Sequence, residues 1–548
     1  MVEPRLLVSP GTSSMLPWFG LLLGLLAIPF AFFLGLKALI RARLGGYKHE
    51  FVRPDPSAPL TKEALRSVAV LGGGVAGLTA ALTLARRGYP VTLYEKKAFL
   101  GGKLGSQREP VLAGQETWVS HGFHAFFPHY HSFRRLLDSV RICELESIDD
   151  YVICEKSGAM TRFRGVEPTP VLNLFGLLRR GLFSLKDAVS APGRDLYGVF
   201  LEYEADATFR RYDSVSYAEF ARRGRVPPRL KLAFNTFARA FFADEEKLSL
   251  AQLIKAFHFY YLSQDGGLLY EYPIRDYEAG LMRPIAEELE SLGAEVRTLD
   301  PVREFSRTLE GFQVNGRPYG AVVVALDAPA LGPLFLDAPG LPEETRRRIG
   351  SVRAGQRYVV WRIWIDKDIR ESVPVFVITE RERALDAVTA FHRFEVETKE
   401  DLKSGRADPK TRAVLELHCY AVPDDLVDAE IKPTLFGELL RRFPELEGAS
   451  VLHEWYVVEQ NFSAFHVGLE ADRPTVETGV PGLYCAADWV KLPFPAMLLE
   501  AAAASGYLAA NGILAEDGLR LEPIVTVPLK GLMAGMPAPK TRVELLGA

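Results

Sequence analysis

The stretch Val68-Ala69-Val70-Leu71-Gly72-Gly73-Gly74-Val75-Ala76-Gly77 narrows the possible folds of this chain more than any other. An apolar run ends in Gly72-x-Gly74-x-x-Gly77 and passes into the helix-like Leu78–Arg87, stopped by Gly88. A second apolar run, Val91–Tyr94, ends in the acid Glu95. This is a βαβ dinucleotide fingerprint in its required context. Gly72 permits the tight turn, Gly74 lets the backbone approach a pyrophosphate, and Gly77 lets the helix pack on the strand. The N–H groups opening the helix, Val75 and Ala76 among them, face the phosphates. Glu95 can accept from ribose hydroxyls, with Lys96 beside it.

NAD, NADP and FAD all use such a unit, and two further segments favour FAD. Gly101-Gly102-Lys103 follows the second strand and suits another backbone approach to a diphosphate, with Lys103 as countercharge. Gly482–Asp488 reads as a buried late strand ending in an acid, followed by an Ala-rich helix from Pro495 to Leu514. That acid and helix N-terminus can reach the ribityl chain and pyrimidine edge of a flavin. The predicted cofactor-binding set is Gly72, Gly74, Val75, Ala76, Gly77, Glu95, Lys96, Gly101, Gly102, Lys103, Val302, Asp488, Pro495, Ala496 and Met497.

The flavin fold is discontinuous. Helix-like Leu281–Leu292 leads to Ala294–Arg297, and Ala321–Leu326 resembles a core strand returning to the first sheet. The intervening material is aromatic and less regular, with strand patterns over Tyr358–Asp366 and Ala413–Tyr420. The expected class is therefore α/β. It is a GR2-type, Rossmann-like FAD domain (67–150, 268–335 and 478–520) with an inserted mixed α+β substrate domain (151–267 and 336–477). Residues 45–66 read as a linker and 521–548 as a tail.

No charge occurs between Leu6 and Leu36, and Leu16–Leu36 is apolar enough to cross a bilayer. Lys37, Arg41, Arg43 and Lys48 follow it, against Arg5 alone on the other side. Charge asymmetry then predicts an N-terminal transmembrane helix within an anchor over 1–44, with the body in the cytoplasm. A cleaved signal peptide needs the reverse charge order and a shorter apolar core. Two more stretches, Val171–Arg180 and Leu230–Phe242, mix apolar residues with cations. Each reads either as an interfacial helix or as a core helix with surface charges. The net charge of −4 gives no basis for a nucleic-acid partner. The four cysteines have no metal-like spacing and read as reduced core thiols.

Together these pieces, from about residue 67 to 535, resemble the flavin-containing amine oxidase and phytoene desaturase superfamily. Four segments are similar to its isorenieratene synthase branch, the carotene desaturase/methyltransferases that aromatise a β-ionone ring. They are His121–Phe127 with Tyr130, Leu385–Thr389 with His392–Glu395, Glu416–Pro423, and Asp488–Pro495. Two positions depart from that branch: Ala487-Asp488 replaces Gly-Asp, and Leu499-Glu500-Ala501 replaces Met-Glu-Arg.

The resemblance implies an FAD enzyme that removes a hydride from an apolar polyene, followed in the aromatising branch by methyl migration and proton loss. It also implies contact with membrane lipid and an electron acceptor whose identity is open. His121 and His124 are the candidate catalytic residues, as proton acceptor or polar positioner; hydrogen-bonded core imidazoles are the alternative. Phe126, Phe127, Trp361, Trp364, Phe391 and Tyr420 are candidates for the substrate tunnel. His121, His124, His129 and His131 could suggest a metal, but no Cys or clustered acid completes a set, so none is expected. A flavin amine oxidase and a non-catalytic, lipid-binding flavoprotein remain the alternatives to a carotenoid oxidoreductase.

Overall fold

A computed structural model describes residues 30–536, apart from 113–114, 149, 151, 232–242 and 268. Five short strands form one parallel sheet, in the order Glu295–Arg297, Val91–Tyr94, Val68–Leu71, Ala321–Val324, Leu483–Cys485. The three central strands are buried at every residue, as is Leu483–Cys485. Their apolar runs show no alternation because both faces of a parallel sheet are covered. The helices Val75–Arg86 and Leu498–Glu516 pack against each other beside it. Small residues permit that approach: a Cβ on Gly506 would lie 2.4 Å from the carbonyl oxygen of Ala76. Leu498–Glu516 is long and apolar enough to span a membrane, but it is mostly buried and is a core helix here. A three-stranded meander, Phe305–Tyr319, links the third and fourth sheet strands in chain order.

The second body is built on a seven-stranded, largely antiparallel sheet. Its order is Val451–Glu459, Tyr358–Ile365, Ala413–Cys419, Ala387–Ala390, Phe376–Thr379, Val152–Cys154, Met160–Arg162. The strands Tyr358–Ile365 and Ala413–Cys419 pair with Arg362 opposite Glu416. One face packs on the helix Asp428–Arg442 through Ile431, Leu435 and Leu439. The other face carries Tyr358, Val360 and Arg362 toward the first body. Adjacent residues on a strand point to opposite faces. The motif-like segments around Ala387 and Glu416 converge because their strands pair, with Ala387 opposite His418 and Thr389 opposite Glu416.

Residues expected as linker and tail pair with each other: His49–Val52 lies antiparallel to Ile524–Thr526, and Phe51 meets Phe494 edge-on at 4.8 Å. Burying these apolar side chains holds the segment on the body.

Of the expected transmembrane span, residues 16–29 lie outside the described residues. Residues 30–43 are helical. Ile40 and Leu44 are buried with Tyr47 and Leu172, while Phe30 and Phe32 are 63% and 73% exposed. Lys37 pairs with Glu167 at 2.8 Å. This helix is therefore seated on the body by its C-terminal half. Its neighbour Leu172–Arg179 buries Leu172, Asn173 and Leu177 and exposes Phe175. In the Leu230–Phe242 stretch, residues 232–242 lie outside the described set.

Candidate active site

A continuous cavity of about 350 Å³ runs from the glycine turn to an aromatic pocket in front of the second sheet. At the glycine end the three motif glycines do different work. A Cβ on Gly72 (φ +108°) would lie 2.4 Å from the Ala325 oxygen, and one on Gly77 would lie 1.9 Å from the Gly72 oxygen. A Cβ on Gly74 would meet nothing within 4 Å: it borders the cavity. Gly74 caps the helix without a side chain, and the first helical bond runs from the Leu78 N–H to the Gly74 oxygen. The N–H groups of Val75, Ala76 and Gly77 therefore have no acceptor within the helix. An open backbone edge, free donors and a helix dipole together fit a diphosphate.

Glu95 is buried, and its carboxylate accepts from the N–H of Gly73 and of Lys97, each at 2.8 Å. The acid thus braces the turn while lining the cavity. Gly101 and Gly102 both have positive φ and bring the chain back to the turn, where the Gly101 N–H donates to the Gly73 oxygen at 2.8 Å. Lys103 lines the cavity with its ammonium 5.0 Å from the Phe462 ring centroid, and Lys96 pairs with Asp327 at 3.0 Å. Val302 and Asp488 are also in the wall, Asp488 accepting from the Ser463 hydroxyl at 2.7 Å.

Pro495, Ala496 and Met497 do not line the cavity; Leu498, Leu499 and Ala502 do. The helix begins three residues later than proline at its first position suggests, because the chain turns sharply at Leu498 (φ +49°). Glu500 points away and caps another helix, accepting from the Ser132 and Phe133 N–H groups at 2.9 Å. Ala501 is buried, so the arginine found there in the resembling branch has no place in this packing.

The cavity's far end is walled by Phe123, Phe127, Tyr130, Tyr260, Tyr261, Tyr270, Phe376 and Tyr420. His121 Nε2 lies 3.0 Å from Glu459 Oε2 and from Tyr358 Oη. The hydrogen bond with His121 and the nearby Lys97 charge outweigh burial and hold Glu459 well below the usual carboxylate range. His124 donates from Nδ1 to the Gly122 oxygen at 2.9 Å, and its own N–H donates to the Tyr277 hydroxyl at 2.9 Å. This tautomer leaves the lone pair on Nε2. Burial, against the pull of the Gly122 hydrogen bond, lowers the His124 pKa to about 4, so the ring is neutral near pH 7.

The other tunnel candidates lie elsewhere. Phe126 is wholly buried against Phe133. Trp361 is on the opposite sheet face, donating to Glu454 at 2.7 Å; Trp364 packs on His453; Phe391 lies 3.6 Å beneath the Arg362 guanidinium. His129 is enclosed by the rings of Phe127, Tyr130 and Phe259.

The sequence reading did not single out His418, Tyr260, Tyr261, Tyr270 or Phe376, which also line the cavity, and it held Tyr130 and Glu416 only within resembling segments. Glu416, His418 and Tyr420 alternate with Leu417 and Cys419. That period of two was the available signal for a polar strand face.

Buried titratable groups set an expected pH profile for stability. His124, His131 and His258 have pKa values lowered by burial to about 4. Their contribution is complete above about pH 6.5 and is lost as pH falls toward 4. Burial raises Glu395 and Glu500 to about 8. Their contribution is complete below about pH 4.5 and is lost as pH rises through 8. The melting temperature should peak near pH 6–7 and decline toward pH 8.5. Glu500→Gln should flatten that decline; an unchanged decline would remove Glu500 from it.

Comparison with known proteins points the same way. The model of the flavin containing amine oxidoreductase family matches residues 75–514. Carotenoid phi-ring synthase of Streptomyces griseus is 35% identical over 508 residues, spanning 90% of this chain and 96% of that protein. Carotenoid phi-ring synthase of Chlorobaculum tepidum is 27% identical over 601 residues, spanning 86% and 91%. Among solved structures, cyclohexylamine oxidase from Brevibacterium oxydans aligns with a TM-score of 0.56 at 13% identity, covering 83% of this chain and 99% of that one.

Proposed function

Because the chain belongs to the flavin-containing amine oxidoreductase family, we propose that it dehydrogenates the end ring of a carotenoid, with methyl migration giving an aromatic ring. It is an FAD-dependent oxidoreductase. The observation that carries the carotenoid reading is the shape of the cavity. One end fits a diphosphate and the other is lined by aromatic rings, and His121, Gly122 and His124 line the same cavity.

Bound FAD supplies the hydride acceptor. Gly74, Val75, Ala76, Gly101, Gly102 and Lys103 would hold its diphosphate, Glu95 a ribose, and Asp488 with the Leu498 helix start the flavin end. The aromatic wall orients an apolar ring and excludes water. Loss of hydride leaves an electron-poor ring carbon; an adjacent methyl moves to it with its bonding pair. Loss of a ring proton restores neutrality and adds one ring double bond; a second loss of hydride and proton, after the electron acceptor has taken the first electron pair, completes the aromatic ring. The neutral His124 positions the end ring without placing a fixed positive charge beside the developing cation. An electron acceptor then readies the enzyme for another turn.

The Leu16–Leu36 segment anchors the body to a membrane in this reading. Phe30, Phe32 and Phe175 are exposed on neighbouring helices, and Asn173 donates to the backbone oxygen of Tyr261 in the cavity wall. A lipid-dissolved polyene would enter at that end without crossing water. A reporter fused at residue 548 should be active in the cytoplasm, and activity on the outer side would overturn the orientation. The function itself is tested by incubating the purified holoprotein with cyclic carotenes and with simple amines. Aromatic-ring carotenoids are the expected products; turnover of amines alone would make the protein an amine oxidase.

A further inference from the structure

A chain of buried polar groups leads from the interior of the second sheet to the cavity wall. Arg362 and Glu416 are both fully buried. Arg362 donates from Nε (3.0 Å) and Nη2 (2.8 Å) to the same oxygen, Glu416 Oε2, and from Nη2 to Ser120. The second carboxylate oxygen, Oε1, is left without a hydrogen bond. His418 Nε2 lies 3.0 Å from it, out of line for a hydrogen bond. The adjoining ring edge, Cε1 and Nδ1, faces Gly122, where a Cβ would lie 3.2 Å and 3.8 Å away, with Glu416 Oε1 3.9 Å from the same point. His418 is 3% exposed and lines the cavity.

We propose that His418, backed by Glu416, is the base that takes the ring proton, an assignment that rests on the carotenoid reading above. A small ring rotation aligns Nε2–H with Oε1 and leaves the lone pair on Nδ1, toward Gly122. In the step, a ring C–H bond breaks, its electron pair forms the ring double bond, and the proton goes to Nδ1. Bound FAD would supply the acceptor for the hydride lost earlier, so charge and electrons balance for each two-electron dehydrogenation. The carboxylate compensates the charge the imidazole gains, where water cannot. Burial works against an ionised Glu416, and Arg362 with His418 outweighs it, holding the carboxyl below its usual value. His124 is less suited: its hydrogen bonds run to Gly122 and Tyr277, and with a pKa of about 4 it is a weak proton sink.

The test is anaerobic single turnover of a cyclic carotene in detergent by the FAD-loaded enzyme, with products quantified by chromatography across pH 4–9. The groups around His418 are Glu416 and Tyr420 on its own strand, Arg362 on one neighbouring strand, Asp386 ahead of the other, and His124 and Tyr277 around Gly122. The parent rate should fall on the acid side as the base becomes protonated. His418→Gln should lower the rate about 10²–10⁴-fold with FAD retained, and the acid limb should vanish. Glu416→Gln should slow the reaction and move the acid limb to lower pH, because the imidazolium loses its counterion. That shift carries the test if His418→Gln does not fold. His124→Gln should keep the limb. The assignment is overturned if His418→Gln matches the parent, or if the limb sits near pH 4 and disappears in His124→Gln. A parent that turns over amines but no carotene would instead overturn the functional reading, and the base assignment with it.

Discussion

Gly74→Val is expected to yield a folded protein that purifies without FAD. The position borders open cavity, so the added side chain meets no protein atom near its Cβ but projects where the diphosphate must approach. Binding should weaken at least about 100-fold, equivalent to roughly 2.7 kcal/mol. Gly77→Val makes the contrast. Its Cβ would lie 1.9 Å from the Gly72 oxygen, and the helix and strand would have to separate. That variant should fail to fold, with or without flavin. Absorbance at the flavin bands and thermal unfolding distinguish the two. A fully yellow Gly74→Val protein would contradict the cofactor site.

Arg362→Met should be the most destabilising single change in the second sheet. The guanidinium is fully buried, bonded twice to Glu416, and 3.8 Å from Glu395. Methionine nearly fills the volume but leaves a buried carboxylate without its counterion. Breaking one partner out of a buried pair costs about 3–5 kcal/mol. Replacing both, in Arg362→Met/Glu416→Leu, should recover much of that loss. Urea unfolding of the single and double variants measures the coupling. A single variant within about 1 kcal/mol of the parent would show that the pair contributes little.

The parts of the site that were legible in the sequence are those set by backbone geometry. A glycine spacing, two apolar runs and two terminal acids placed Gly72, Gly74, Glu95 and Asp488 in one cavity wall, since a parallel sheet forces those strand ends together. Where side-chain direction decides, the reading was weaker. Trp361 and Arg362 are neighbours in sequence, yet one faces the Asp428–Arg442 helix side and the other the cavity side. Aromatic composition cannot separate them. Phe126 and Phe127 divide in the same way, one wholly buried and one in the cavity wall. The helix Leu498–Glu516 begins three residues later than its proline suggests, because its start includes a left-handed turn at Leu498, for which leucine gives no signal. Glu416 and His418 were noted only as part of a resembling segment. Their chemistry depends on Arg362, 54 residues earlier, which only strand pairing brings beside them.

The central claim is that this cavity removes hydrogen from a carotenoid end ring and moves a methyl group within it. A cyclic carotene carrying ¹³C in its geminal methyl groups tests it most directly. After turnover by the holoprotein, carbon NMR should show the two labels on adjacent carbons of an aromatic ring. Labels that remain on one saturated carbon, in a product or in unchanged substrate, would contradict the account.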